Sequence, residues 1–193
     1  MSTRILRFLL LIAGLLSIVS CEDPFEKTTK GRNTLAFILN NKKIYCDTYY
    51  IINFRVGYYF DDKDNLISIQ AYLDSEDFPF LSIKIPSDYI ETGSTLKPKV
   101  KLEYLYLPSI YNHTYDSSGK TISLKLVREA EYRSVDVSAS SLHVRMWDKD
   151  SGVLAGDFSF KGEYADSLGK IHTVNVTDGV FDIKHQWPTD QEL

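Results

Sequence analysis

Cysteine is nearly missing: the 193 residues include only two, Cys21 and Cys46. Basic charge is not in surplus either, with 22 Lys+Arg against 26 Asp+Glu and a net charge of -4. Glycine (10) and proline (6) are sparse, and no long apolar run follows the first twenty residues. Each shortage excludes a class. Two cysteines cannot staple a miniprotein. Without a Lys/Arg excess there is no phosphate-binding face, so no nucleic-acid partner is expected. So little glycine and proline excludes collagen-like and low-complexity chains. Also missing are a glycine-rich phosphate loop, a dinucleotide fingerprint, a His-Glu-x-x-His motif and a nucleophile elbow, so no cofactor is expected. The histidines, His113, His143, His172 and His185, form no short-range metal pair, and no metal is expected. What remains is a globular composition, 44% hydrophobic and 25% charged, with 13 Tyr, 10 Phe and 2 Trp.

The amino terminus is an address. Met1–Arg7 is short and basic, and Phe8–Ser20 is an uncharged apolar run. That run makes about 20 Å of helix at ~1.5 Å per residue, short of the roughly 30 Å hydrocarbon core. It reads as an export signal rather than a membrane span. The residues that follow, Ser17-Ile18-Val19-Ser20-Cys21, resemble the lipobox of bacterial lipoproteins, with Val19 where a small residue is commoner. The resemblance implies that 1–20 is a cleaved signal peptide. It also implies that the Cys21 thiol forms a thioether to diacylglycerol, with fatty-acyl (palmitate-type) chains added at its amine. One chain holds a protein to a bilayer only marginally, whereas several anchor it durably. The membrane is then a partner through the lipid.

Residues 21–33 read as a polar tether, with Pro24 and Gly31 and little to bury. The opening acids, Glu22-Asp23-Pro24-Phe25-Glu26, resemble the surface-export stretch of Bacteroidetes lipoproteins. That implies a lipid-anchored place in the outer membrane, on its exposed face. With Cys21 lipidated, Cys46 has no disulfide partner and reads as a half-buried strand residue.

From Leu35 onward the chain alternates with period two. Ile67, Ile69, Ala71 and Leu73 share one face while Ser68, Gln70 and Tyr72 share the other. Leu142, Val144 and Met146 alternate in the same way with His143, Arg145 and Trp147. Such runs are strands with one packed face, and the expectation is all-β, an antiparallel sandwich or open barrel of about ten strands. A single domain over 34–188 precedes an acidic tail at 189–193. Asp178-Gly179 reads as a hairpin turn between Ile171–Val176 and Val180–Lys184. Pro86–Thr92 is the one helical-turn candidate, capped by Ser87. Trp187 reads as a plug over the end of the core. The opening Thr34–Lys42 (TLAFILNNK) and the closing Leu154–Lys184 resemble a group of Bacteroidetes lipoproteins of unknown function. That likeness implies fold and compartment and no activity.

The functional lead is aromatic. His143, Arg145 and Trp147 are expected to project together, with Tyr72 on a similar polar side, as a ligand-binding surface for a glycan or an envelope protein. No catalytic residue is assigned. A hydrolase using strand-borne carboxylates among Glu103, Asp157, Glu163 and Asp182 is the weaker alternative. A structural or assembly component using a sheet edge, and a lipocalin-like barrel with an apolar ligand, also stand open. Asp148–Gly152 resembles half a calcium loop but lacks the distal acid, and reads as a solvated turn. Asp166-Ser167-Leu168 matches a Bacteroidetes O-glycosylation pattern.

Overall fold

The computed structural model describes residues 23, 25–47, 56–61, 63–73, 75, 77–115, 118 and 120–184, with backbone alone at 47, 61, 112–115 and 122–125. Residues 1–20, expected to be a signal peptide, lie outside the described residues, as do Cys21, His185, Trp187, the tail at 189–193 and the His113 side chain. Among the described residues, thirteen antiparallel strands and one 3-10 turn make up the regular structure. They are β1 (Thr34–Leu39), β2 (Lys42–Asp47), β3 (Val56–Asp61), β4 (Leu66–Tyr72), β5 (Phe80–Pro86), β6 (Thr95–Leu96) and β7 (Lys99–Leu107). Then come β8 (Ile110–Tyr115), β9 (Thr121–Arg128), β10 (Glu131–Ser134), β11 (Asp136–Asp148), β12 (Val153–Ala165) and β13 (Ile171–Ile183).

The all-β expectation holds, and the count rises from about ten to thirteen because short strands escape pattern reading. β6 has two residues, and all four residues of β10 are exposed, so neither shows alternation. The 3-10 turn covers only Ser87–Tyr89. Ser87 does not cap it; its hydroxyl donates to Asn65 Oδ1 instead.

One sheet has the order β2-β1-β13-β12-β11-β6 and the other β10-β7-β5-β4-β3. They share one core. Leu35, Phe37, Leu142, Val144, Leu154, Phe158 and Ile183 come from the first sheet, and Val56, Ile67, Ile69, Leu81, Ile83 and Leu102 from the second. Phe158 lies 5.9 Å from Phe37 and 6.3 Å from Phe181, so side chains fill the space between the sheets. This is a sandwich rather than an open barrel. The β8–β9 hairpin pairs only with itself and leaves Ile110, Tyr111, Leu126 and Val127 exposed.

Asp178-Gly179 is not a hairpin turn: β13 runs straight through it as one 13-residue strand. Its register against β12 passes from Phe160↔Val176 to Phe158↔Gly179, so two residues of β13 oppose one of β12. Asp178 takes a left-handed φ of 51°, the conformation that made the pair look like a turn. The bulge reverses which side chains face inward. Val174 and Val176 point into the core before it, and Phe181 and Ile183 after it, which places Asp182 on the outer face. Gly179 is required by contact, since a Cβ there would lie 2.5 Å from the Phe158 carbonyl oxygen.

Residues 25–33 lie across that outer face as an irregular strap, with a turn at its start and left-handed backbone at Gly31 and Asn33. Asp182, 2% exposed, is its hub. It accepts the Thr28 hydroxyl, the Lys30 amide at 3.0 Å and the Gly31 amide at 2.7 Å. Lys27 lies 3.0 Å from Asp157, Lys43 sits 5.2 Å over the Phe25 ring, and the Lys184 amide donates to Asn33 at 2.8 Å. Ala36, Val153, Ala155 and Val180 are buried beneath this layer although they face away from the inter-sheet core.

Candidate functional site

A second bulge decides where the aromatic set goes. β11 passes from Val144↔Gly156 to Met146↔Ala155, leaving Arg145 as the extra residue. Beyond it Trp147 pairs with Leu154, on the core side, instead of sharing a face with His143. The four residues expected to form one surface are therefore dispersed. His143 is exposed on the outer face of the first sheet, with its Nδ1 3.3 Å from the Thr95 hydroxyl. Arg145 lies under the strap. It donates to the carbonyls of Thr28 (2.5 Å), Gly156 (3.2 Å) and Phe181 (3.1 Å), with its Nε 3.3 Å from Asp157. Tyr72 is on the second sheet, exposed, with its ring 5.4 Å from Phe80.

Trp147 lies at the β11–β12 turn end of the sandwich, half-buried, 5.9 Å from both Tyr58 (edge-on, 78°) and Phe60 (tilted, 49°). Its backbone amide donates to the Thr92 hydroxyl at 3.0 Å. Its indole Nε1–H is buried and makes no hydrogen bond among the described residues. An unpaired buried donor is uncommon and calls for a reason. Tyr58, the neighbouring ring, donates to the Gly152 carbonyl at 2.8 Å, and burial raises its phenol pKa.

Trp147 lines a cleft of about 640 Å³. Phe60, Ile67 and Ile90 share its apolar side, while Asp88, Glu91, Thr92 and Lys149 supply the polar groups. No motif announces these partners, because four separate segments bring them: β3, β4, the chain after β5 and the turn after β11. The 3-10 turn fixes the rim, where Asn65 Nδ2 donates to Asp88 at 2.6 Å and Ser94 donates to the Glu91 carbonyl at 2.7 Å. A smaller groove of about 430 Å³ runs beside the strap, lined by Phe25, Lys27, His143 and Asp157.

The carboxylates weighed for hydrolysis are engaged or apart. Asp157 is paired with Lys27 and Arg145, Asp182 holds the strap, and Glu103 lies 2.5 Å from Lys101. Asp157 and Glu163 sit on one face of β12, six residues and so about 20 Å apart, beyond the ~5–10 Å that a glycosidase pair spans. Asp148 is consumed by its own turn, accepting from the amides of Asp150 and Ser151 and from the Ser151 hydroxyl, which lowers its pKa. Cys46 is buried and donates to the Tyr72 carbonyl at 3.0 Å. Among the described residues no three His, Cys, Asp or Glu side chains are grouped to hold a metal ion.

At the opposite end of the sandwich Tyr164 stacks on His172 at 5.0 Å and 17° and lies 4.3 Å from Tyr104. His172 Nε2 is 2.8 Å from Asp166, whose carboxylate also accepts the amides of Leu168 and Lys170. Compared with known protein families, curated proteins and solved structures, the chain matches none.

Proposed function

We propose that this protein is a lipid-anchored lipoprotein of the outer membrane whose sandwich binds a glycan in the Trp147 cleft without acting on it. The observation that carries the reading is the composition of that cleft. A half-buried indole and a phenyl ring form an apolar wall beside two carboxylates, a hydroxyl and an ammonium. Its volume falls in the range of small-molecule sites, which pair apolar walls with a few convergent polar groups. A pyranose presents an apolar C–H face to such rings and hydroxyls to such polar groups. The strand carboxylates being tied up in ion pairs and strap contacts supports binding over hydrolysis. The anchor rests on the lipobox at Cys21.

A structural or assembly role would use a sheet edge, and three of the four outermost strands are guarded, β3 being the exception. β2 carries Lys42 and Lys43, β6 has two residues, and β10 has four. This favours the cleft.

The test is glycan-array screening of the purified mature protein, followed by calorimetry with the best oligosaccharide. Trp147→Ala and Glu91→Gln are each expected to weaken binding at least tenfold. Affinity unchanged in both variants would remove the cleft as the site. Mass spectrometry of the processed chain is expected to find acyl chains on Cys21, and an unmodified cysteine would remove the anchor.

A further inference from the structure

The Trp147 cleft has a charge pattern as well as a shape. Phe60 and Ile67, which line it, oppose each other one residue pair from the end of the β3–β4 hairpin. The turn of that hairpin therefore stands beside the cleft, and it is tied there. Asn65 Nδ2 donates to Asp88 at 2.6 Å, and the Ser87 amide donates to the Asn65 carbonyl at 3.0 Å. Trp147 and Lys149 bring in a second turn, the one between β11 and β12. On the segments that frame the cleft, the described side chains include Asp64, Asp88, Glu91, Asp148 and Asp150 against Lys63 and Lys149. The chain as a whole is far closer to balance, with 22 basic and 26 acidic residues.

Little within this set neutralises the excess. Asp88 accepts from an uncharged amide, and Asp148 accepts from uncharged groups of its own turn. Among the described residues no cation lies within ion-pair distance of Asp88 or Glu91, and no carboxylate within that distance of Lys149. A cleft with apolar walls focuses the field of such a rim and concentrates the opposite charge inside it. The same walls favour that charge a second time, because a cation is drawn to the face of an indole or phenyl ring and an anion is not. Trp147 and Phe60, with rings 5.9 Å apart, are those walls.

We propose that the saccharide taken by the Trp147 cleft bears a free amine, whose ammonium group sits between the Asp88 and Glu91 carboxylates and the Trp147–Phe60 wall. This rests on the glycan reading of the cleft and adds the chemistry of the sugar to it. Uronic acids and other anionic sugars are turned away by the same rim. Lys149, the one cation of the lining, opposes the ammonium group and sets how strong the preference is.

The test is calorimetry of the purified mature protein at mildly acidic pH, where a sugar amine is protonated, with tetrasaccharides of glucosamine, N-acetylglucosamine and galacturonic acid. The glucosamine chain is expected to bind at least tenfold tighter than its N-acetylated counterpart, and the galacturonate chain most weakly. In about 1 M salt, which screens charges beyond roughly 3 Å, the preference for glucosamine is expected to shrink at least threefold. Glu91→Gln is expected to shrink it likewise, and Lys149→Ala to widen it. A preference for the neutral or the acidic chain overturns the inference and leaves the glycan reading standing. Glucosamine affinity that survives Trp147→Ala, or that a tetralysine peptide matches, overturns it as well, since the attraction then lies outside the cleft or ignores the sugar. Binding of none of the three overturns the inference, and a blank glycan array besides removes the glycan reading with it.

Discussion

The amide of Gly31 donates to Asp182 at 2.7 Å, joining the leading segment to the last strand. With the Thr28 hydroxyl and the Lys30 amide it surrounds a carboxylate that is 2% exposed. Asp182→Ala leaves three donors without their acceptor, and each unsatisfied group costs about 1–3 kcal/mol when water cannot replace it. The strap is near the surface and can rehydrate in part, so a loss of roughly 2–4 kcal/mol is expected. Urea unfolding should show it as a lower midpoint with little change in slope, whereas a strap that merely lies on the face would leave the midpoint in place.

The β13 bulge makes an asymmetric prediction about adjacent residues. Gly179→Ala drives a Cβ to 2.5 Å from the Phe158 carbonyl and 2.7 Å from its ring, so the backbone must shift. Overpacking of this kind costs typically 1–3 kcal/mol. Asp178→Gly relieves a left-handed φ of 51° and is expected to be neutral or stabilising, within about 1 kcal/mol. If the two substitutions destabilised equally, the bulge would not be what reverses the strand's faces.

Asp166 supplies the pH dependence. The hydrogen bond from His172, followed by the Lys170 amide, lowers its pKa below the ordinary carboxylate value. A depressed folded value means that the ionised carboxylate favours the folded turn. That contribution is present above the unfolded pKa and is lost as pH falls through the folded one. The turn at 166–170 should stay closed through mildly acidic pH and loosen only below the usual aspartate range. A carboxyl-carbon NMR titration checks it, and a midpoint at or above that of a free aspartate would contradict the hydrogen bonding.

How far the sequence reveals this molecule depends on whether a feature is periodic. β4 alternates without interruption, so Ile67, Ile69 and Ala71 are inside and Tyr72 outside, as their spacing dictates. β11 alternates just as cleanly in sequence, yet the extra residue at Arg145 turns Trp147 inward. A bulge changes parity without changing composition, so nothing in His143-Val144-Arg145-Met146-Trp147 announces it. The strap was hidden for a related reason. Thr28 and Lys30 are polar and look solvated, because the carboxylate they meet is on the last strand. A trace of it is legible in Val180-Phe181-Asp182-Ile183, where an acid sits in an apolar run and needs a buried partner. The cleft is the least legible part, since its lining comes from separate loops and strand ends.

Arg145 separates fold from ligand. Its guanidinium, 14% exposed, reaches three carbonyls and lies beside Asp157, a fork that a single ammonium cannot reproduce. Arg145→Lys should therefore cost about 1–3 kcal/mol, through carbonyls and a carboxylate left short of donors. The side chain lies beneath the strap rather than in the cleft, so glycan affinity measured below the unfolding transition should match the unsubstituted protein. Trp147→Phe is expected to behave in the opposite sense. It keeps an aromatic ring against Tyr58 and Phe60, so stability changes little, but it narrows the apolar wall, so affinity falls. Measuring both variants by thermal unfolding and by calorimetry gives four numbers. A large affinity loss in Arg145→Lys would move the binding site from the cleft to the groove beside His143.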